Sequence, residues 1–373
     1  MAGTILNRSH ACKASLKRPW TMPAACKTSF LSRVCGAFLG TLLSLGLSCS
    51  PSSADPVADF YHGKTIRLII ATSPGNDYDF RGRLLARYMG RFIPGEPAIV
   101  PENMPGAGGI TATNYLASIA PRDGTVLQMI MSNMMSAQAM KAQGVQFDTR
   151  KFSWIGNTTS TPNVTNSWYT TGVTSIEQVK TRELVVGAPM GTAGVTYAEA
   201  MNELVGTKFK IVTGYPGGNE VNLAMERGEV DGRASNAWAS WKSTHSDWLA
   251  DKKLNILVQV GLTRAADLPD VPLLLELAKN DEDRLVLTFL SADTAIARSL
   301  VTTPGVPADR LAALRLAFDE TVVDPQFLAE AGKAQMDISP TSGVEAQKIA
   351  DSIVDTPPRT TERAAAILGD TAH

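Results

Sequence analysis

From Thr65 onward the chain alternates short aliphatic runs with amphipathic helical stretches. Thr65-Ile66-Arg67-Leu68-Ile69-Ile70-Ala71 predicts a buried strand, because β-branched and aliphatic residues dominate it. Ser73-Pro74-Gly75-Asn76-Asp77-Tyr78-Asp79 stops it, and Asp79 is expected to N-cap a helix carrying Leu84, Leu85, Tyr88 and Met89 on one face. Ala98-Ile99-Val100 predicts the next strand, leading into Glu102-Asn103-Met104 and the turn Pro105-Gly106-Ala107-Gly108-Gly109. After a further helix comes Ala120-Pro121-Arg122-Asp123-Gly124-Thr125, then a strand over Val126–Met131 and another starting at Trp154-Ile155-Gly156.

The same alternation continues. A short helix over Ser175–Thr181 precedes the strand Leu184-Val185-Val186-Gly187. Gly191-Thr192-Ala193-Gly194 then opens a helix with Tyr197, Ala200, Met201 and Leu204. Phe209–Val212 is a strand, Gly217-Gly218-Asn219 opens a helix with Val221, Leu223, Ala224 and Met225, and Asn255–Val260 is a further aliphatic strand. Arg310–Phe318 and Val344–Ile353 read as amphipathic helices with solvated charged faces, and Pro357-Pro358 separates the latter from a last helix around Ala364–Leu368. Strands alternating with helices, with glycine turns between, indicate an α/β fold with mostly parallel sheets. Ligand crevices in such sheets open at the carboxyl ends of strands, where these polar turns fall.

The first 54 residues change the composition. They hold six Lys or Arg, no Asp or Glu, an apolar stretch from Val34 to Leu47 and the small residues Ser52-Ser53-Ala54, the pattern of an export signal cleaved before Asp55. Met22 is an alternative start, and acylation of Cys49 is the alternative to free export. Of 35 basic side chains, 29 remain after the leader against 36 acidic ones, a formal charge of −7. That balance disfavours nucleic acid or an anionic membrane as partner. All four cysteines (Cys12, Cys26, Cys35 and Cys49) lie in the leader, so an exported chain would carry no disulfide. Its length suggests two domains.

Catalytic motifs are hard to assemble. Beyond the leader the histidines are His62, His245 and His373, with no metal-ligand spacing around them, and neither a G-x-S-x-G elbow nor a Walker loop occurs. A strand feeding a polar turn at a helix N-terminus is instead a ready anion site. By that logic the candidate ligand residues are Pro74, Gly75, Asn76, Asp77, Tyr78 and Asp79 on one side and Gly191, Thr192, Ala193 and Gly194 on the other. Ser132 and Asn133 end a strand, and Asn219 opens a helix. After the turn Gly228-Glu229-Val230-Asp231-Gly232, Arg233 is either a counter-ion for a ligand carboxylate or a surface partner of Glu229, and Asn236 follows on the same run. Trp238, Trp241 and Trp248 read as core and lobe-surface residues, with a cleft-facing Trp238 the alternative.

The ordered set of loops, from Ser73–Asp79 through Pro105–Gly109 to Ala120–Thr125, resembles the periplasmic binding proteins of tripartite tricarboxylate transporters, the Bug family. The resemblance implies two α/β lobes around a ligand cleft (a type II-like Venus flytrap), lobe 1 taking residues 55–157 plus 288–373 and lobe 2 residues 158–287. It implies a solute-binding protein that captures a small carboxylated ligand for membrane permease subunits, as a monomer, with no cofactor, no metal and no catalysis. A sensor subunit and a soluble periplasmic enzyme are the alternatives. The family loop, usually Pro-Gly-Gly-x-x-Asp, holds a ligand carboxylate through backbone amides. Pro74, Gly75 and Asp79 match it, while Asn76 and Asp77 stand where glycines are common. An anionic Asp77 facing the cleft would favour a ligand with a hydroxyl or amine. Thr158 and Thr159 match a family position lining the hinge.

Overall fold

The computed structural model describes residues 55–369, so the leader, its alternative start and Cys49 lie outside the described residues. The strands in chain order are β1 (Thr65–Ile70), β2 (Ala98–Asn103), β3 (Val126–Ile130), β4 (Ser153–Asn157), β5 (Asn163–Trp168) and β6 (Leu184–Gly187). They continue as β7 (Phe209–Val212), β8 (Gly232–Ala237), β9 (Leu254–Val260), β10 (Ser299–Thr302) and β11 (Thr341–Ser342). One six-stranded sheet has the order β11-β4-β10-β3-β1-β2 and one five-stranded sheet the order β7-β6-β8-β5-β9.

Both sheets are mixed, which corrects the mostly parallel expectation. β1 pairs in parallel with β2 and β3, and β6 with β7 and β8. Antiparallel pairing enters with β10 in the first sheet and β5 in the second. Both are strands that return the chain between lobes.

The apolar residues of β1 are buried on both faces, while Arg67 in mid-strand is half-buried and pairs with Glu102. Ile66, Leu68 and Ile70 share a core with Leu84 and Leu85 of the Asp77–Tyr88 helix, with Met89 just after it and with Phe318, whereas Ile69 belongs to the opposite core with Trp154 and Val301. In the second sheet Val164 packs beneath Trp168, Trp238, Trp241 and Trp248. Trp238 donates its indole N–H to Asp267 at 2.8 Å, so it belongs to the core and not to the cleft.

The two sheets are joined by crossing segments that bond to each other. The amide of Thr158 donates to Arg298 O at 3.0 Å and that of Thr161 to Thr294 O at 3.4 Å. A last helix, Pro358–Gly369, packs against the Asp281–Ala292 and Ala193–Ala200 helices, beside the second sheet. The sequence grouping assigns that helix to the first lobe. Its apolar stripe instead finds its partners across a third crossing of the chain.

Asp293, at the second crossing, is fully buried and accepts from the Ser136 hydroxyl through Oδ2, while its Oδ1 has no partner among the described residues. Burial pushes its carboxyl up to about 8, against the opposing pull of the Ser136 bonds. An acid that holds its proton more tightly folded than unfolded takes stability away as pH rises from about 4 through the folded value. Asp293→Asn is therefore expected to be more stable than the parent by over about 1 kcal/mol at pH 8 and to match it near pH 4. Urea unfolding at both pH values checks this.

Candidate functional site

A cleft of about 820 Å³ opens between the sheets. Its walls are the segments after β1 and β3 (Ala71–Ser73 and Met131–Asn133) and the Pro189–Gly194 turn after β6, together with the Gly214–Asn219 loop and the end of β8. Parallel strands place their C-terminal turns there by construction.

On the first lobe, Asn76 closes the start of the Asp77–Tyr88 helix. Its Oδ1 accepts from the amides of Tyr78 (3.0 Å) and Asp79 (3.2 Å), and its Nδ2 donates to Ser73 O (2.6 Å). Asp79, expected as the cap, already lies inside the first helical turn. It accepts from Gly75 N, Arg83 Nε and Asn103 Nδ2, each at 2.9 Å. Burial works against its charge, but these bonds prevail and hold the carboxyl below the usual range. The loop thus binds itself. Its Gly75, Tyr78 and Asp79 amides donate to side chains of the same loop.

Asp77 corrects the expectation more sharply. It is 1% exposed, and both oxygens are engaged by the protein: Arg81 Nε at 3.0 Å to each, Arg298 Nε at 2.6 Å to Oδ2, and the Ser243 hydroxyl at 3.1 Å to Oδ1. Burial alone would raise its pKa; the Arg81 and Arg298 guanidiniums outweigh that and hold it low. Asp77 lines the cleft with both of its oxygens held by these protein donors. Arg298 also stacks on the Tyr78 ring at 4.0 Å, and the Tyr78 hydroxyl donates to Ala297 O and accepts from Ser132 N. Tyr78 and Ser132 line the cleft as part of this scaffold.

The second lobe is arranged differently. The Ala193–Ala200 and Gly218–Glu226 helices both begin in the cleft wall, and neither has a side-chain cap. The Thr192 hydroxyl donates to Pro189 O at 2.7 Å, so that residue shapes the turn, and Ala193 and Gly194 line the cleft beside it. Arg233 on β8 turns inward. Its Nε donates to Ser235 O (3.1 Å) and its Nη1 to Asn222 Oδ1 (2.9 Å), with Trp241 beneath the guanidinium. Glu229 pairs with Arg227 instead, and among the described residues no carboxylate forms an ion pair with Arg233. Burial pushes the guanidinium down to about 10, with Glu220 opposing weakly, so it stays charged at neutral pH. Gly218 makes room at its side: a Cβ there would lie 2.2 Å from Arg233 Nη2 and the guanidinium would have to shift. Asn236, paired with Val164 across the β5–β8 ladder, also lines the cleft.

Contacts between lobes close the mouth. Asn219 Nδ2 donates to Gly75 O at 3.2 Å and Asn133 Nδ2 to Gly191 O at 3.3 Å. Gly108, with φ +60, sits so close to Gly191 that a Cβ would meet its carbonyl oxygen at 2.0 Å. Lys242 of the second lobe pairs with Asp337 of the first. Thr158 and Thr159 are buried in the crossing, bonded to Arg298 O and Ser339 Oγ, and do not line the cleft. Pro74 does not line it either. Sequence reasoning missed Arg81, Arg298, Ser243 and Asn222. Only Arg81 carried a local signal, the i,i+4 spacing to Asp77.

A profile for the tripartite tricarboxylate transporter family receptor matches residues 83–363. The chain belongs to that family. The receptor is 29% identical over 250 residues to the UPF0065 protein of the gbd 5' region of Cupriavidus necator, a match covering 63% of this chain and 70% of that protein. Among solved structures it resembles the periplasmic binding protein BugD (18% identical, TM-score 0.64, 82% of this chain and 99% of that one). It also resembles an adipate-bound R. palustris protein (17% identical, TM-score 0.63, 82% and 98%). The malate-bound MatC of Rhodopseudomonas palustris is similar too (16% identical, TM-score 0.61, 81% and 99%). These likenesses give the fold, two lobes of a periplasmic solute-binding protein. Family and fold are those of receptors, not of enzymes.

Proposed function

We propose that this receptor captures a small carboxylate between its lobes, with Arg233 as the counter-ion, and presents the closed complex to the permease subunits of a tripartite tricarboxylate transporter. The observation that carries this is a cleft-lining guanidinium without an acidic partner, beside two uncapped helix N-termini. Arg233 and the amides favour a planar anion, because a guanidinium matches carboxylate geometry and helix N-termini attract negative charge. The adipate and malate in the two relatives' structures are of that class. A non-catalytic role is supported by the buried Asp77 carboxylate being tied to three protein donors, which leaves it badly placed for acid–base work. Ligand contacts to both lobes stabilise the closed arrangement alone, which turns binding into a signal for docking.

Export with cleavage before Asp55 belongs to the same proposal; intact mass of protein recovered from the periplasm tests it, and a mass retaining the leader contradicts it. For binding, a thermal-shift screen of mono-, di- and aromatic carboxylates and of amino acids is the first experiment. A ligand that binds only the native state raises the melting temperature, and a carboxylate at about a hundred times its Kd adds roughly 2.7 kcal/mol of stability. No shift with any carboxylate, alongside a shift with uncharged ligands, contradicts the proposal.

A further inference from the structure

We infer that Arg298 is a second ligand-binding residue, which receives a second anionic group of the ligand on the first-lobe wall, outside the Pro74–Asp79 loop. This rests on the Arg233 reading above and adds a second contact to it.

The charge of the buried cluster on that wall is unbalanced. Asp77 is one carboxylate shared by two guanidiniums, Arg81 at 3.0 Å and Arg298 at 2.6 Å, and none of the three side chains is more than 5% exposed. Among the described residues no other carboxylate forms an ion pair with either arginine. One positive charge is left over in a buried place, where a cation is costly unless an anion faces it. Of the two arginines only Arg298 lines the cleft. Its Nε donates to Asp77 Oδ2 and its Nη1 to Ala297 O, which leaves Nη2 for a ligand. The Tyr78 ring beneath the guanidinium holds it in place, and the Tyr78 hydroxyl is already engaged with Ala297 O and Ser132 N.

Two features of the same lobe favour an anion beside that nitrogen. Ser73 lines the cleft, and while its carbonyl accepts from Asn76, its hydroxyl has no partner among the described residues. The Ile110–Ser118 helix begins in the cleft wall at Gly109 with no side-chain cap, and such a start attracts negative charge. The Pro74–Asp79 loop, the expected seat of a carboxylate on this lobe, is closed to it by its own bonds: Asp79 takes Gly75 N, and Asn76 takes the Tyr78 and Asp79 amides. An anion on the first lobe therefore finds Arg298 and not that loop. Ile110, Met131 and Met190 supply apolar wall for the body of such a ligand.

Calorimetry at pH 7.5 tests the inference with succinate, adipate and suberate, each against the monoacid of the same length (butyrate, hexanoate and octanoate). At least one diacid is expected to bind the parent about tenfold or more tightly than its monoacid, the factor for one charge-assisted hydrogen bond. Arg298→Lys keeps a cation for Asp77 but gives up the planar fork. It should weaken that diacid by about tenfold and leave the monoacid within about twofold of the parent. Arg298→Gln, which also keeps a donor for Asp77, gives the same readout if the lysine variant unfolds. A purely structural role would weaken both ligands together. Three diacids no tighter than their monoacids, equal weakening of both ligands, or a diacid advantage that survives in the variants overturns the inference and leaves Arg233 as counter-ion. Silence of all six probes overturns the Arg233 reading itself, and this inference with it.

Discussion

Asp77→Ala is expected to lose about 3–5 kcal/mol of folding stability, because breaking a buried ion cluster strands the remaining charges. Arg81 and Asp77 are each 1% exposed, and Arg298 is nearly as deep. Removing the carboxylate leaves two guanidiniums buried beside each other with no anion between them. Arg81 already has one nitrogen without a partner, so it has no reserve acceptor. Asp79→Asn is the control: it keeps one acceptor oxygen, and the Arg83 guanidinium it releases reaches solvent, so it should lose less. Urea unfolding followed by tryptophan fluorescence separates the two. The pH dependence has a fixed sign. Asp77 has a folded pKa below its unfolded value, so its contribution is present above about pH 4 and disappears as pH falls toward the lowered folded value. In Asp77→Ala that acid-side loss of stability should shrink.

Arg233→Gln is expected to behave in the opposite way. Ligand affinity should fall by about 2–5 kcal/mol, the range for truncating one partner of a buried hydrogen-bonded charge pair, which is roughly one and a half to three and a half decades in Kd. Folding stability should stay level or rise, since the variant relieves a cation that has no ion-pair partner in the free protein. Glutamine also retains a donor for Asn222 Oδ1 and so keeps the local bond. Calorimetry with octanoate and urea unfolding together distinguish a binding residue from a structural one. A variant that unfolds like Asp77→Ala and still binds would reverse the roles assigned to the two residues.

Much of the fold was legible because it rests on local periodicity. β1, β3, β6, β7 and β9 are aliphatic runs, and the helices after Asn76, Thr192 and Gly217 announce themselves by turn residues and apolar spacing. β5 was not legible. Its core residues include Thr165, Asn166 and Ser167, which are fully buried, with the two hydroxyls bonded to backbone carbonyls, so hydropathy carries no strand signal there. β10 is only four residues long and finds its place through pairing with strands distant in sequence. Both bring antiparallel pairing into their sheets.

The candidate site divided along the same line. The loops at Gly75, Gly191 and Gly217 were identifiable as cleft-forming because glycine turns after strands are local features. Their hydrogen-bonding state was not. Whether Asp77 faces a ligand depends on Arg298, 221 residues away, and whether Arg233 faces the cleft depends on Glu229 finding Arg227. Side-chain chemistry of this kind is settled by which partner arrives in three dimensions, and residue type alone leaves the alternatives open.

The most direct measurement is a crystal structure of the receptor with octanoate. The expected result is a carboxylate within hydrogen-bond distance of the Arg233 guanidinium at the start of the Gly218–Glu226 helix, its chain along Met131 and Met190, and Asp77 still bound to Arg81 and Arg298. A carboxylate seated on the Pro74–Asp79 loop, with Asn76 displaced from the Tyr78 and Asp79 amides and Arg233 out of contact, would contradict it.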